Sequence, residues 1–202
     1  MDRKEAIERI GLLKGQDLRA WAEAHHITVF KEDGALNKGW AGHVIERFLG
    51  IPLNSSRSPN FGSWELKVIP LFHDRHGRLR IKETMAVCML DPVEVMQKPF
   101  EDSHFFNKLR KVLIVSRTYE GRSEPHSFVY GVHEFDLDDS DFYQQIKADY
   151  DLIRQQLLSE LPLTGRMGVF IQPRTKGPGH GSVSRAFYAR KVLLSQIIGV
   201  AP

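Results

Sequence analysis

Between Asn60 and Val68 the chain reads NFGSWELKV, and this stretch restricts its fold more than any other. Trp64, Leu66 and Val68 alternate with Glu65 and Lys67, which is the period of a strand, where residues i and i+2 share a face. One face is then apolar, and the other carries a carboxylate and an ammonium side by side. An unneutralised charge is costly to bury, so the pair needs either water or a chemical task. On the residues alone, Glu-x-Lys fits two things: a surface ion pair on an edge strand, or a functional pair held over a site.

The segments around it alternate between helical and strand periods. Ala6, Ile7, Ile10 and Leu13 recur at helical spacing, and after a break at Gly15 so do Leu18, Trp21 and Ala22. GWAGHVIERFLG returns to that period with Trp40, Val44 and Phe48 as one stripe. Glu46 lies four residues from both Gly42 and Gly50, so its own face is nearly bare and a ligand can approach the carboxylate. A hairpin-like turn, HDRHGR, precedes β-rich runs at TMAVCML, KVLIVSRT and SFVYGVHEF. Ser140 is the expected N-cap of a long helix with Phe142, Ile146, Tyr150, Ile153 and Leu157 on its apolar stripe. GRMGVFIQPR reads as a strand, TKGPGHGSVS as a Gly-rich connection, and the last helix is expected to hold Phe187, Leu193, Leu194 and Ile197. Neither a repeat nor a linker divides the chain, so a single α/β or α+β domain over residues 1–202 is expected.

At 202 residues the chain can bury one sizeable core or two lobes sharing a cleft. No apolar run is long enough to span a bilayer, so no membrane role is expected. MDRKEAIERIGLLKG lacks the apolar stretch of a secretory signal. The lone cysteine, Cys88, sits in an apolar run, which suggests a buried inert thiol, excludes a disulfide framework and fits a reducing cytoplasm. Net charge is +3 but unevenly spread. From Leu161 to Pro202 there is no Asp or Glu, while Arg166, Arg174, Lys176, Arg185, Arg190 and Lys191 all fall there. A polyanion suits such a segment; a solvated surface is the plainer alternative.

A helix carboxylate (Glu46), a polar residue after a loop (Asn60) and a strand Glu-x-Lys (Glu65, Lys67) form the set that metal-dependent phosphodiester hydrolysis needs. Carboxylate oxygens are the hard ligands that Mg²⁺ takes, and a nearby lysine can stabilise developing charge. Other motifs are weaker. His73 and His76 lack a second ligand pair at zinc spacing, and GPGHGS lacks the Lys-Ser/Thr ending of a nucleotide-binding loop.

The blocks KGWAGHVIERFLG, NF with WELKVIP, KETMAVC, EDSHFFNKLRKVLIV, FIQPR and RAFYARK, in this order, resemble the MutH mismatch-repair nucleases and related GATC-cutting restriction endonucleases of the PD-(D/E)xK superfamily. The resemblance implies a restriction-endonuclease-like α/β fold, with a central mixed sheet flanked by helices and two lobes around a DNA cleft. Residues up to about 100 would be mainly catalytic, and those from about 101 to 202 would mainly recognise DNA. It implies that Glu46 and Glu65 are metal-holding carboxylates, Lys67 the catalytic lysine and Lys108 a further active-site lysine. Without the resemblance, Lys108 reads as part of a solvated cluster with Arg110 and Lys111. Lys38 matches a DNA-contacting lysine. Pro173 and Arg174 match a base-reading loop in which the family has Pro-Lys, and Arg174 suits a bidentate bond to guanine. Tyr188 matches an aromatic beside the adenine whose methylation is sensed, with helix core as its alternative. Lys176, Arg185 and Arg190 would add contacts to DNA.

Asn60 departs from the family, which has a metal-binding Asp before this Phe. An amide brings one neutral oxygen and no charge, so either the chain is an inactivated nuclease or it binds without cutting. The expected function is a Mg²⁺-dependent type II restriction endonuclease acting on double-stranded DNA at a short palindromic, GATC-like site. The alternatives are a mismatch-repair nickase working with a MutL-like partner and a catalytically silent DNA-binding module. A cytoplasmic, nucleoid-associated monomer or homodimer fits each of these.

Overall fold

The structure is a computed structural model that describes residues 1–51, 62–176 and 184–202. Asn60 and the Gly-rich run at 177–183 lie outside the described residues. The chain begins with helices α1 (Arg3–Gly11), α2 (Leu18–Ala24) and α3 (Trp40–Phe48), as the periodicity suggests. Asp2 and Asp17 cap the first two, accepting from the amides of Glu5 and Arg19.

Strand β1 (Glu65–His73) turns through HDRHGR into the short β2 (Leu79–Ile81), a return strand that the sequence reading passes over. Strands β4 (Lys111–Thr118) and β5 (Val129–Asp136) complete a four-stranded sheet in the order β2-β1-β4-β5. β1 and β4 run parallel and the other pairs antiparallel, so the sheet is mixed as expected. β2 pairs only with Leu71–His73, so at Glu65 and Lys67 β4 is the one strand neighbour of β1 among the described residues, and it is the burial of Glu65 rather than the sheet order that argues against a surface ion pair.

β4 is buried on both faces, and its alternation feeds two cores. Val112 and Ile114 join Ile69 and Leu71 of β1 in the larger core. Leu113 and Val115 join Leu66 of β1 and the three N-terminal helices in the other. The N-terminal core is tied to the sheet by a buried ion pair: Arg117 of β4 donates from two nitrogens to Glu124, at 3.1 Å each. Trp40, the first residue of α3, donates to the same carboxylate at 2.9 Å. The entry of α3, and with it the helix bearing Glu46, is thereby fixed to the sheet.

The larger core is closed by a second sheet of β3 (Met85–Leu90), β7 (Arg185–Ala189) and β6 (Ile171–Thr175), in the order β3-β7-β6. Helices α4 (Pro92–Gln97), α5 (His104–Leu109), α6 (Tyr143–Leu158) and α7 (Lys191–Ile198) pack around it. Three local expectations are corrected. α6 starts after Phe142 without a side-chain cap, and Ser140 instead donates to the carbonyl of Leu137 at 3.0 Å. The strand in GRMGVFIQPR starts only at Ile171. Phe187 belongs to β7, not to the last helix. RAFYA has no strong strand propensity of its own; pairing with β3 on one side and β6 on the other makes it a strand. Phe187 then points into the core, 4.6 Å from the Phe105 ring of α5 and 5.8 Å from that of Tyr150, while Tyr188 points to the opposite face.

The approach to β6 is set by Asp149 of α6, which is 2% exposed. Its carboxylate accepts from the amides of Val169, Phe170 and Ile171 at 2.6–2.8 Å. Gly168 has φ +73°, and a Cβ there would stand 1.9 Å from the carbonyl oxygen of Ile171, so only glycine fits. Asp149→Ala, which leaves three amides without their acceptor, that of Ile171 buried, is expected to lower unfolding free energy by about 3 kcal/mol in urea titrations.

Candidate functional site

Glu65, Lys67, Ile69 and Leu71 lie on one face of β1, so the carboxylate and ammonium extend a row that is otherwise core. Glu65 is 3% exposed. Its Oε1 accepts from Lys67 Nζ at 2.9 Å and its Oε2 from Lys108 Nζ at 3.0 Å. Each oxygen of a buried carboxylate is thus held by a different ammonium, an arrangement with far higher demands than a surface ion pair.

The two lysines are not equivalent. Lys108 is buried, in the last turn of α5, whose neighbours Phe105, Phe106 and Leu109 are core residues. Ser103 caps that helix, accepting from the Phe106 amide at 3.0 Å. Lys108 is therefore held in place and holds Glu65 in turn. Lys67 retains 22% side-chain exposure and can meet a substrate from the open side. The reading of Lys108 as solvated is corrected: the short helix α5, invisible in the periodicity, turns it inward.

Glu46 sits half-buried on α3, which packs on β1. Among the described residues nothing stands within 4 Å of where a Cβ on Gly42 or Gly50 would be, so the face on which Glu46 lies is open as its spacing suggests. Carboxylate oxygens are the hard donors that Mg²⁺ takes, and an oxygen that accepts one ammonium hydrogen has a second lone pair for a cation. Glu46 and Glu65 each offer such oxygens. Among the described residues no three His, Cys, Asp or Glu side chains group to hold a metal ion, and position 60 is an amide in this chain.

Cys88 of β3 lies in the field of Lys67, Glu94, Lys108 and Glu65, and burial pushes its thiol up to about 12. The side chain is half-buried rather than fully buried as the sequence suggests, and it packs against the larger core.

The other candidate residues divide into two groups. Pro173 is buried and Arg174 exposed on β6. The Arg174 guanidinium lies 5.4 Å over the Tyr188 ring and donates to Thr84 Oγ1 at 2.9 Å. Arg174 and Tyr188 therefore share one face and act as a unit, and Thr84, which no sequence pattern marks, orients the arginine. Lys176, exposed, follows β6, and half-buried Arg185 starts β7. Arg190 donates to the carbonyls of Gly165 and Met167 at 2.9 and 2.8 Å, bracing the approach to β6. Lys38 is exposed two residues before α3. Among the described residues no helix is long and apolar enough to cross a membrane.

The family profile described as DNA mismatch repair enzyme MutH matches residues 49–149. A DNA mismatch repair protein MutH of Haemophilus ducreyi is 29% identical over 191 residues, 85% of this chain and 82% of that protein. That of Vibrio parahaemolyticus is 34% identical over 113 residues, 55% of this chain and 48% of its own length. A solved complex of restriction endonuclease MvaI with its cognate DNA substrate aligns with 89% of this chain and 95% of that one, at 12% identity and a TM-score of 0.37.

Two outcomes check the site. Glu65→Leu should cost about 3–5 kcal/mol because the Lys108 ammonium loses its buried carboxylate, and adding Lys108→Met should recover most of that loss in urea unfolding. At pH 8 the native Cys88 thiol should react with iodoacetamide far more slowly than in the urea-unfolded chain, since a raised pKa leaves almost no thiolate; equal rates would place the thiol in water.

Proposed function

Because the chain belongs to the MutH family and is a DNA endonuclease, we propose that it hydrolyses a phosphodiester of double-stranded DNA at a short palindromic, GATC-like site, as a Mg²⁺-dependent type II restriction endonuclease. The observation that carries the reading is the buried Glu65 carboxylate with Lys67 and Lys108 on its two oxygens. A surface ion pair has no need of such burial, whereas a phosphate-cleaving centre needs a fixed anion with a cation beside it.

Glu65 and Glu46 would hold the metal, with residue 60 as the third donor. When bound, the ion would supply charge at the scissile phosphate and acidify a water. Lys108 orients the Glu65 carboxylate from the protein side. Lys67, reaching the open side, places its ammonium where it can steady an attacking water or the negative charge that develops on phosphate oxygen. Arg174, braced by Thr84 and stacked on Tyr188, offers two parallel N–H groups to the O6 and N7 of a guanine, while Pro173 stiffens the strand beneath it. Tyr188 lies beside that contact, where a methylated base would be sensed. Lys38, Lys176 and Arg185 add phosphate contacts. Asn60 weakens the metal site, so the chain as written binds DNA better than it cuts.

The mismatch-repair nickase with a MutL-like partner is the second reading. The repair-protein names carried by the relatives favour it. One assay separates the two readings: methylated, hemimethylated and unmethylated plasmid with Mg²⁺, comparing the chain as written with Asn60→Asp. The expected result is cleavage by Asn60→Asp alone, lost on adding Lys67→Ala and cutting both strands without a helper protein. Nicking confined to the unmethylated strand would select the repair role instead, and DNA binding without cleavage by either form would select the silent binding module.

A further inference from the structure

On the side of α3 adjoining Glu46, a cavity of about 390 Å³ is lined by His25, His26, Ile27, Asn37, His43 and Arg47, among others. Among the described residues no carboxylate lines it. His43 and Arg47 are four residues apart and share one helix face, and His25 and His26 approach from the end of α2. Among the described residues no cluster of His, Cys, Asp or Glu has the arrangement to hold a metal ion, so the three imidazoles do not form a zinc-type site.

Two details set this cavity apart from ordinary surface. His26 adopts φ 54°, the left-handed position after a helix end that glycine normally fills. The Ile27 amide bonds to the Ala22 carbonyl at 2.8 Å, so this helix-ending turn sets the place of His26 at the cavity wall. Its neighbour His25 is held by stacking on Trp21, with ring centroids 5.3 Å apart. The donors are thus one permanent cation, three imidazoles that each donate at least one N–H, and Asn37, whose side chain is fixed by a 2.8 Å bond to the Thr28 carbonyl.

We propose that this cavity is a phosphate-binding pocket. Its donor set suits a tetrahedral oxyanion, with Arg47 supplying the fork and His26 and His43 the flanking N–H groups. The proposal rests on the DNA-endonuclease reading for its natural occupant, a backbone phosphate of the duplex outside the cleavage site. The same chemistry would also take free inorganic phosphate.

The test measures binding of a labelled duplex by fluorescence anisotropy without divalent cation, across a salt series, for the full chain and for Arg47→Gln, His43→Gln and His26→Gly. His26→Gly removes an imidazole while relieving the left-handed strain, so it keeps the fold. Arg47→Gln should weaken duplex binding roughly tenfold and flatten the log–log salt slope by about 0.9, one phosphate contact. In parallel, inorganic phosphate should move the imidazole NMR signals of His26 and His43 in the full chain and not in Arg47→Gln. Shifts with inorganic phosphate but unchanged duplex affinity would support the pocket with free phosphate as its occupant. Unchanged affinity and slope in all three variants, with no imidazole shift, would overturn it. Lys38→Ala and Arg174→Ala serve as controls: if they weaken duplex binding while the pocket variants do not, only the pocket falls, and if they too have no effect, the DNA reading itself fails.

Discussion

Strand β4 has water on neither face, and the remainder of the molecule is arranged around that constraint. Val112 and Ile114 must be covered on one side and Leu113 and Val115 on the other, so the sheet needs a core on each face. The N-terminal helices supply one cover and the second sheet with α5, α6 and α7 the other. β1, paired in parallel beside β4, inherits both environments. Its Leu66 enters one core while Glu65 and Lys67 open the row that leads to Ile69 and Leu71 in the other. The charged pair is therefore rigid because its strand is rigid. α3, which packs on β1, is anchored by Trp40 on the Arg117–Glu124 pair, and α5, which brings Lys108 to Glu65, by Phe105 on Phe187 and Tyr150.

Burial makes the Glu65 carboxylate both demanding and useful. In a low-dielectric setting a carboxylate held by two ammoniums is strongly oriented, and losing one partner leaves charge uncompensated. The same setting strengthens any interaction with a cation or a developing phosphate charge. Lys108 and Lys67 differ in exposure: the first is buried against the carboxylate, while the second keeps 22% of its side chain exposed. On the second sheet the Thr84 bond and the Tyr188 ring restrict the Arg174 guanidinium.

Much of this was legible in the residues, for identifiable reasons. KVLIVSRT has a continuous apolar run, Val112 to Val115, that reads as a strand, and the alternation of WELKV marks the side on which Glu65 and Lys67 lie. The pattern failed where tertiary pairing overrides local preference. RAFYA reads as helix until β3 and β6 claim it, and β2 is too short to show a period. Lys108 lies on a helix of six residues, less than two turns, so no periodicity could show it turning inward; only the family resemblance marked it. Thr84 and the histidines around His43 carry no motif, because their roles arise from contacts between segments distant in sequence.

The proposed site has Glu65 as the anchor of a divalent cation that an acidic residue at position 60 would complete. Calorimetric titration of Ca²⁺ into Asn60→Asp, with and without Glu65→Gln, tests it without relying on cleavage. Saturable binding by Asn60→Asp is expected, at least tenfold weaker once Glu65 is neutralised, since a hard cation loses a charged oxygen donor. Binding of equal strength in the two proteins would contradict it and place the cation elsewhere.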